Sequence, residues 1–125
     1  MKLPSLFFPA VDHANHYVGG TIAADGGSIV GIVVGLFLVR QGASLWLVPL
    51  LGAIGAAVAA FAAGRWKEAR DARQNAAAYR EWLDTDQAQP FVPPHGVETA
   101  DWQATTWGCV PVAVPLLVLF LISVI

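Results

Sequence analysis

Residues 41–64 hold no Asp, Glu, Lys or Arg, residues 102–125 hold none, and residues 17–39 hold only Asp25. An α-helix crosses the hydrocarbon core of a bilayer with about 20 apolar residues. Each stretch has that length, and the constraint is severe. In lipid every backbone N–H and C=O must be bonded within the segment, which leaves the helix as the economical solution for separated spans. Only 13% of the 125 residues are charged, against about 25% in a soluble domain. The pattern predicts an all-α fold. It is an integral membrane three-helix bundle, forming one membrane domain over residues 1–125 with spans at about 17–39, 43–64 and 102–125.

Between the second and third spans the composition reverses. Residues 65–86 contain Arg65, Lys67, Arg70, Arg73 and Arg80 together with Glu68, Asp71, Glu81, Asp84 and Asp86, and neither Gly nor Pro. This reads as a cytoplasmic helical extension of the second span, with Ala72, Ala76, Tyr79 and Leu83 as a narrow apolar stripe. The three prolines of residues 87–94 end regular helix, and Thr99 is the expected cap of the last helix. Pro111 and Pro115 predict kinks in that helix. Arg40-Gln41-Gly42 predicts a tight turn between the first two spans.

Lys and Arg set orientation in a membrane. All but Arg40 lie in the N-terminal segment or in residues 65–86. The N-terminus and the 65–101 segment are therefore expected in the cytoplasm, and the 40–42 turn and Ile125 on the periplasmic side of a bacterial inner membrane. The stretch Leu3–Ala10 reads as an uncleaved surface segment with Phe7 and Phe8 at the interface, Pro4 and Pro9 making it a poor signal peptide. Trp46 and Trp66 mark the two interfaces of the second span. A net charge of −2 without a separate basic patch argues against nucleic acid, and the lone Cys109 excludes an intrachain disulfide. No cofactor is implied.

Gly27, Gly31 and Gly35 recur every four residues on the first span, and Gly52, Ala56, Ala60 and Gly64 on the second. Small residues at this interval let helices approach closely where lipid competes for ordinary apolar contacts. They suit a tight hairpin, or alternatively a homo-oligomer or pore. The topology also gathers polar groups at one depth. Asp12, His13 and His16 enter the first span, Lys67, Glu68 and Asp71 follow the second, and His95, Glu98 and Asp101 precede the third. Lys67 and Asp71 share a helix face, as do Glu68 and Asp71. His16, Lys67, Glu68, Asp71 and Asp101 form the candidate polar site. A mixed nitrogen and oxygen metal site, a proton-transfer pair, a lipid head-group site and a simple cluster of flanking charges all fit those residues. Asp25 lies inside the first span, where a lone carboxylate is costly. Thr21 and Ser28 share its face as candidate solvating groups, with His16, Thr105 and Thr106 as further ones, and ion or proton conduction through it is a further reading.

Three segments carry a resemblance: His16-Tyr17-Val18-Gly19-Gly20, the G-x-x-K-E-x-x-D box of Gly64–Asp71, and the D-x-x-A-T-x-x-G box of Asp101–Gly108. The chain resembles small bacterial and phage membrane proteins of the VanZ-like and YfiM-like groups. The resemblance implies that His16, Lys67, Glu68, Asp71, Asp101 and Gly108 form a shared polar signature, without implying a substrate. The function expected is therefore a small inner-membrane protein with a cytoplasm-facing site for a lipid head group, metal or partner. A holin-like pore-forming protein is the alternative. An enzyme on lipid or cell-wall precursors ranks lower, because neither G-x-S-x-G nor H-E-x-x-H is present.

Overall fold

A computed structural model describes residues 11–95 and 99–125, and the side chains of residues 15–95 and 102–125. The regular elements of the described residues are all helices, with α1 at Val11–Arg40, α2 at Leu47–Leu83, α3 at Thr99–Trp107 and α4 at Val110–Val124. Three helical stretches are long and apolar enough to cross a membrane: Asn15–Arg40, Leu47–Leu83 and Trp102–Val124. The all-α bundle with an extended second span is thus present. The N-terminal segment with Phe7 and Phe8 lies outside the described residues, as do the side chains of Asp12, His13, Glu98, Thr99 and Asp101.

α1 is rich in Gly, Val and Ile, poor helix formers in water. In hydrocarbon the cost of unbonded backbone overrides that preference. The helix stops at Gly42, whose φ of +98° is left-handed. The Gly42 N–H donates to Val39 O at 2.9 Å and the Ala43 N–H to Leu38 O at 3.0 Å, the paired closure of a Schellman motif. The predicted turn is therefore longer than Arg40–Gly42. Residues 41–46 make the connection and α2 begins at Leu47, four residues after the expected start. α2 then runs unbroken to Leu83, about 55 Å at 1.5 Å per residue, well beyond the roughly 30 Å of a hydrocarbon core.

The third span departs from the sequence expectation of one helix kinked at two prolines. It breaks once, between α3 and α4, at Gly108–Cys109. Pro111 has no N–H to donate and its ring would crowd the Trp107 carbonyl. The chain tightens instead: the Cys109 N–H donates to Thr106 O and the Val112 N–H to Cys109 O, each at 3.1 Å. Pro111 thereby falls in the first turn of α4, where its missing donor costs little, and α4 continues through Pro115. The Val112 N–H that a regular helix would offer to Gly108 O is diverted. Thr21 of α1 compensates, its hydroxyl lying 2.9 Å from Gly108 O and 3.1 Å from Tyr17 O.

The interior is built of small residues. Ala24, Ala56 and Ala60 are completely buried, Ala53, Ala104 and Ala113 nearly so, with Ser28 and Thr105 beside them, and among the described residues no large side chain is fully enclosed. Many large apolar side chains point outward, among them Ile22, Ile29, Val33 and Phe37 of α1 and Leu119, Leu121 and Ile122 of α4, while Val112 and Leu116 pack against the alanines. This is the arrangement expected where lipid solvates Leu as well as protein does, and close backbone packing supplies the difference. Gly27 faces Gly55 and Ala59, Gly31 faces Leu51, and Gly35 faces Val48, each so closely that a Cβ would collide. The α1 glycines thus meet the row Val48, Leu51, Gly55 and Ala59. The expected row Gly52, Ala56, Ala60 and Gly64 is buried one step around α2. There Gly52 meets Ile32 and Leu116, while Gly64 meets Trp102 and Thr105 of α3.

Candidate functional site at the end of the bundle

Gly20 of α1 and Gly64 of α2 both abut Thr105 of α3. Those three residues mark one level, and from it each apolar segment runs for roughly the 20 residues a bilayer core requires. Just beyond this level lies a pocket of about 550 Å³. α1 contributes Asn15, His16 and Gly19, and α3 contributes Thr105. α2 contributes Ala63, Trp66, Lys67, Arg70, Asp71 and Gln74, at the i, i+3, i+4, i+7 spacing of a single helix face.

Two basic side chains dominate its chemistry. Lys67 Nζ donates to Asp71 Oδ2 at 2.9 Å, and the Asp71 residue is buried, at 8% exposure. The hydrogen bond from Lys67 holds the Asp71 carboxyl below the usual carboxylate range; burial opposes it, and the charges of Lys67 and Arg70, with that of His95 whenever it is protonated, assist. The Arg70 guanidinium lies over the Trp66 ring, 5.7 Å from its centroid, a cation–π geometry. Arg65 lies similarly over Trp102 at 5.6 Å.

His95 reaches the pocket from the proline-rich linker, held by one side chain. Asn75 Nδ2 donates to His95 O at 2.7 Å, and the His95 N–H donates to Asn75 Oδ1 at 3.0 Å. The linker is tied down along α2 at a second place. Trp82 Nε1 donates to Gln89 O at 2.9 Å, and Phe91 sits edge-on to Tyr79 at 5.1 Å while Tyr79 stacks on Trp82 at 5.7 Å. The chain reverses at Gln87, a non-glycine residue at φ 56°, whose side-chain amide donates to Leu83 O at 3.2 Å. The stripe Ala72, Ala76, Tyr79, Leu83 is accordingly not a buried seam. Tyr79 and Leu83 are 45% and 44% exposed, and Tyr79 acts through the Phe91 contact.

Of the sequence candidates, His16, Lys67 and Asp71 line one pocket together with His95. Glu68 does not: it turns to Arg65, with Nη1 to Oε2 at 3.1 Å. The Asp101 side chain is outside the described residues. Among the described residues no three His, Cys, Asp or Glu side chains are grouped to hold a metal ion. Asp25 stands apart. Its side chain is exposed on the face of α1 that carries Val18, Ile22 and Ile29, about 7.5 Å inside the Gly20 level at 1.5 Å per residue. Three of the expected solvating groups, Ser28, Thr21 and Thr106, are otherwise engaged. Ser28 Oγ donates to the Asp25 main-chain carbonyl at 2.8 Å, Thr21 serves Gly108 and Tyr17, and Thr106 Oγ1 donates to Trp102 O.

Trp66, Arg70 and Gln74 belong to the pocket and were missing from the sequence candidates. Their spacing from Lys67 on one helix face was the available signal. Asn75 offered none, since its partner is 20 residues away. Comparison of the chain with family models, curated proteins and solved structures gives no match.

Proposed function

We propose that this chain is a small bacterial inner-membrane protein, of host or phage origin, whose cytoplasm-facing pocket binds a lipid head group. The observation that carries the reading is the placement of Lys67 and Arg70 in a cavity at the level where the apolar segments end. Phosphate groups of lipids occupy that depth, and basic pockets between spanning helices suit them. The distribution of Lys and Arg supports a cytoplasmic pocket and a periplasmic Ile125. The motif resemblance to VanZ-like and YfiM-like proteins falls on His16, Lys67 and Asp71, which supports treating them as one site.

The test is retention of lipid by the purified full-length chain. Native mass spectrometry from mixed phosphatidylcholine and phosphatidylglycerol micelles is expected to show bound phosphatidylglycerol, reduced by Arg70→Ala. Equal retention by the wild type and Arg70→Ala would refute the head-group site. Orientation is tested by single cysteines at Arg40 and Arg73 in a Cys109→Ala background: only the former should react with an impermeant reagent outside the cell.

The holin-like reading has less support. Ala24, Ala56 and Ala60 are completely buried between the helices, which favours tight packing within one copy over a lumen, so a pore would need an assembly of copies. Abrupt loss of membrane potential on induction would favour it.

A further inference from the structure

We infer that the pocket selects the singly charged phosphodiester of an anionic phospholipid, and that Asp71 sets this selectivity by holding Lys67; the inference rests on the head-group site proposed above. The charges lining the cavity are unequal in availability. Lys67 is compensated by the buried Asp71, 2.9 Å away. Arg70 pairs with no carboxylate among the described residues, and its guanidinium is oriented by the Trp66 ring. With the lining His16 and His95 counted as neutral at pH 7, Lys67, Arg70 and Asp71 together carry one net positive charge. A phosphodiester carries one negative charge, whereas a phosphomonoester carries about −1.5 to −2 at neutral pH.

The planar guanidinium fork matches two phosphate oxygens, and Asn15 and Gln74 add neutral donors. A second negative charge would have to sit near the Asp71 carboxylate in a partly desolvated site, where like-charge repulsion is strong. The membrane-side wall of the pocket favours a lipid over free phosphate. It is formed by Gly19 and Ala63, and a Cβ built on Gly19 meets nothing within 4 Å. That wall leaves room for the glycerol end of the diester to pass into the bilayer.

The experiment uses the full-length chain in phosphatidylcholine nanodiscs containing phosphatidylglycerol (a diester) or phosphatidic acid (a monoester). The wild type is expected to enrich phosphatidylglycerol over phosphatidic acid. Asp71→Asn frees Lys67 and is expected to shift that ratio toward phosphatidic acid by about tenfold, equivalent to about 1.4 kcal/mol. Adding Lys67→Met to Asp71→Asn should restore the diester preference, because the freed charge is gone; this variant also covers any folding defect from the asparagine.

An unchanged ratio in Asp71→Asn, or no restoration in the double variant, overturns the role of Asp71 while leaving the head-group site standing. Failure of the wild type to enrich either lipid over phosphatidylcholine removes the site itself. Displacement of phosphatidylglycerol by an equal concentration of inorganic phosphate would identify the ligand as free phosphate and overturn the lipid.

Discussion

The two halves of α2 are held by opposite means. From Leu47 to Gly64 the helix touches its neighbours through missing side chains: Gly55 against Gly27, Gly52 beneath Leu116, Gly64 against Trp102. From Arg65 to Leu83 it is held through large or polar side chains: Asn75 on His95, Trp82 on Gln89, Tyr79 on Phe91. The difference follows the solvent. In lipid, burying a Leu gains little over leaving it exposed, so backbones approach and small residues win. In water an exposed aromatic gains by finding another, and a linker carbonyl trades water for an amide at modest net gain. The pocket lies where the two regimes meet, which is why it combines a glycine and alanine wall with Lys67, Arg70 and Asp71.

The contrast can be broken most forcefully in the lipid half. Gly31→Leu drives a side chain into the Leu51 backbone. It should cost at least the 1–3 kcal/mol typical of overpacking, since backbone cannot move aside as a side chain can. The expected readout is loss of a monodisperse helical species in detergent. A well-folded Gly31→Leu protein would show that the α1–α2 contact is dispensable.

The water half should respond more locally. Asn75→Ala removes both bonds to His95, an effect of about 1–3 kcal/mol confined to the linker. Hydrogen exchange should quicken at residues 87–95 while the spans stay protected; a change in the spans instead would deny the separation of the two halves. The same local logic gives a pH dependence. Asp71 has its folded-state carboxyl pKa depressed by Lys67. Its stabilisation is therefore complete at neutral pH and is lost as pH falls below about 3.9, the unfolded value, through the lower native one. Acid titration followed by hydrogen exchange of residues 65–75 should show loosening there, and Asp71→Asn should abolish that acid step.

Smaller effects sharpen the comparison. Thr21→Val deletes the hydroxyl serving Gly108 O and should cost about 0.6 kcal/mol, at most about 1.7, by the range for interhelical hydrogen bonds in membranes. A loss well above that range would mean the break in the third span depends on Thr21 for its existence. Glu68→Ala breaks only the exposed pair with Arg65 and should change stability by at most about 1 kcal/mol. Its lipid retention should match the wild type, whereas a defect would bring Glu68 back into the site.

Much of this architecture was legible in the chain, for a plain reason. Uncharged runs of spanning length leave the backbone one way to satisfy itself, so three apolar helices and the long second helix follow from charge placement alone. Gly42 announces where the first helix must stop, and the prolines of residues 87–94 exclude helix from the linker, although α2 already ends at Leu83. The site was legible in part: His16, Lys67 and Asp71 could be assembled from topology and i, i+4 spacing. Glu68 could not be excluded on those grounds, because it lies three residues from both Asp71 and Arg65 and only the direction its side chain takes, here toward Arg65, decides.

Tertiary structure decided the rest, since these outcomes depend on how helices turn about their own axes. It set Gly27 against Gly55 and Ala59, Gly31 against Leu51 and Gly52, and Gly35 against Val48, so that of the expected row only Gly52 meets an α1 glycine. It concentrated the proline disturbance at Gly108–Cys109, where Thr21 could answer the diverted carbonyl. It brought His95 into the pocket through Asn75, a contact no local pattern announces. Solvent preference fixes which segments are helical and where they sit in depth; the azimuth of each helix, and so the company each polar side chain keeps, is settled only by packing.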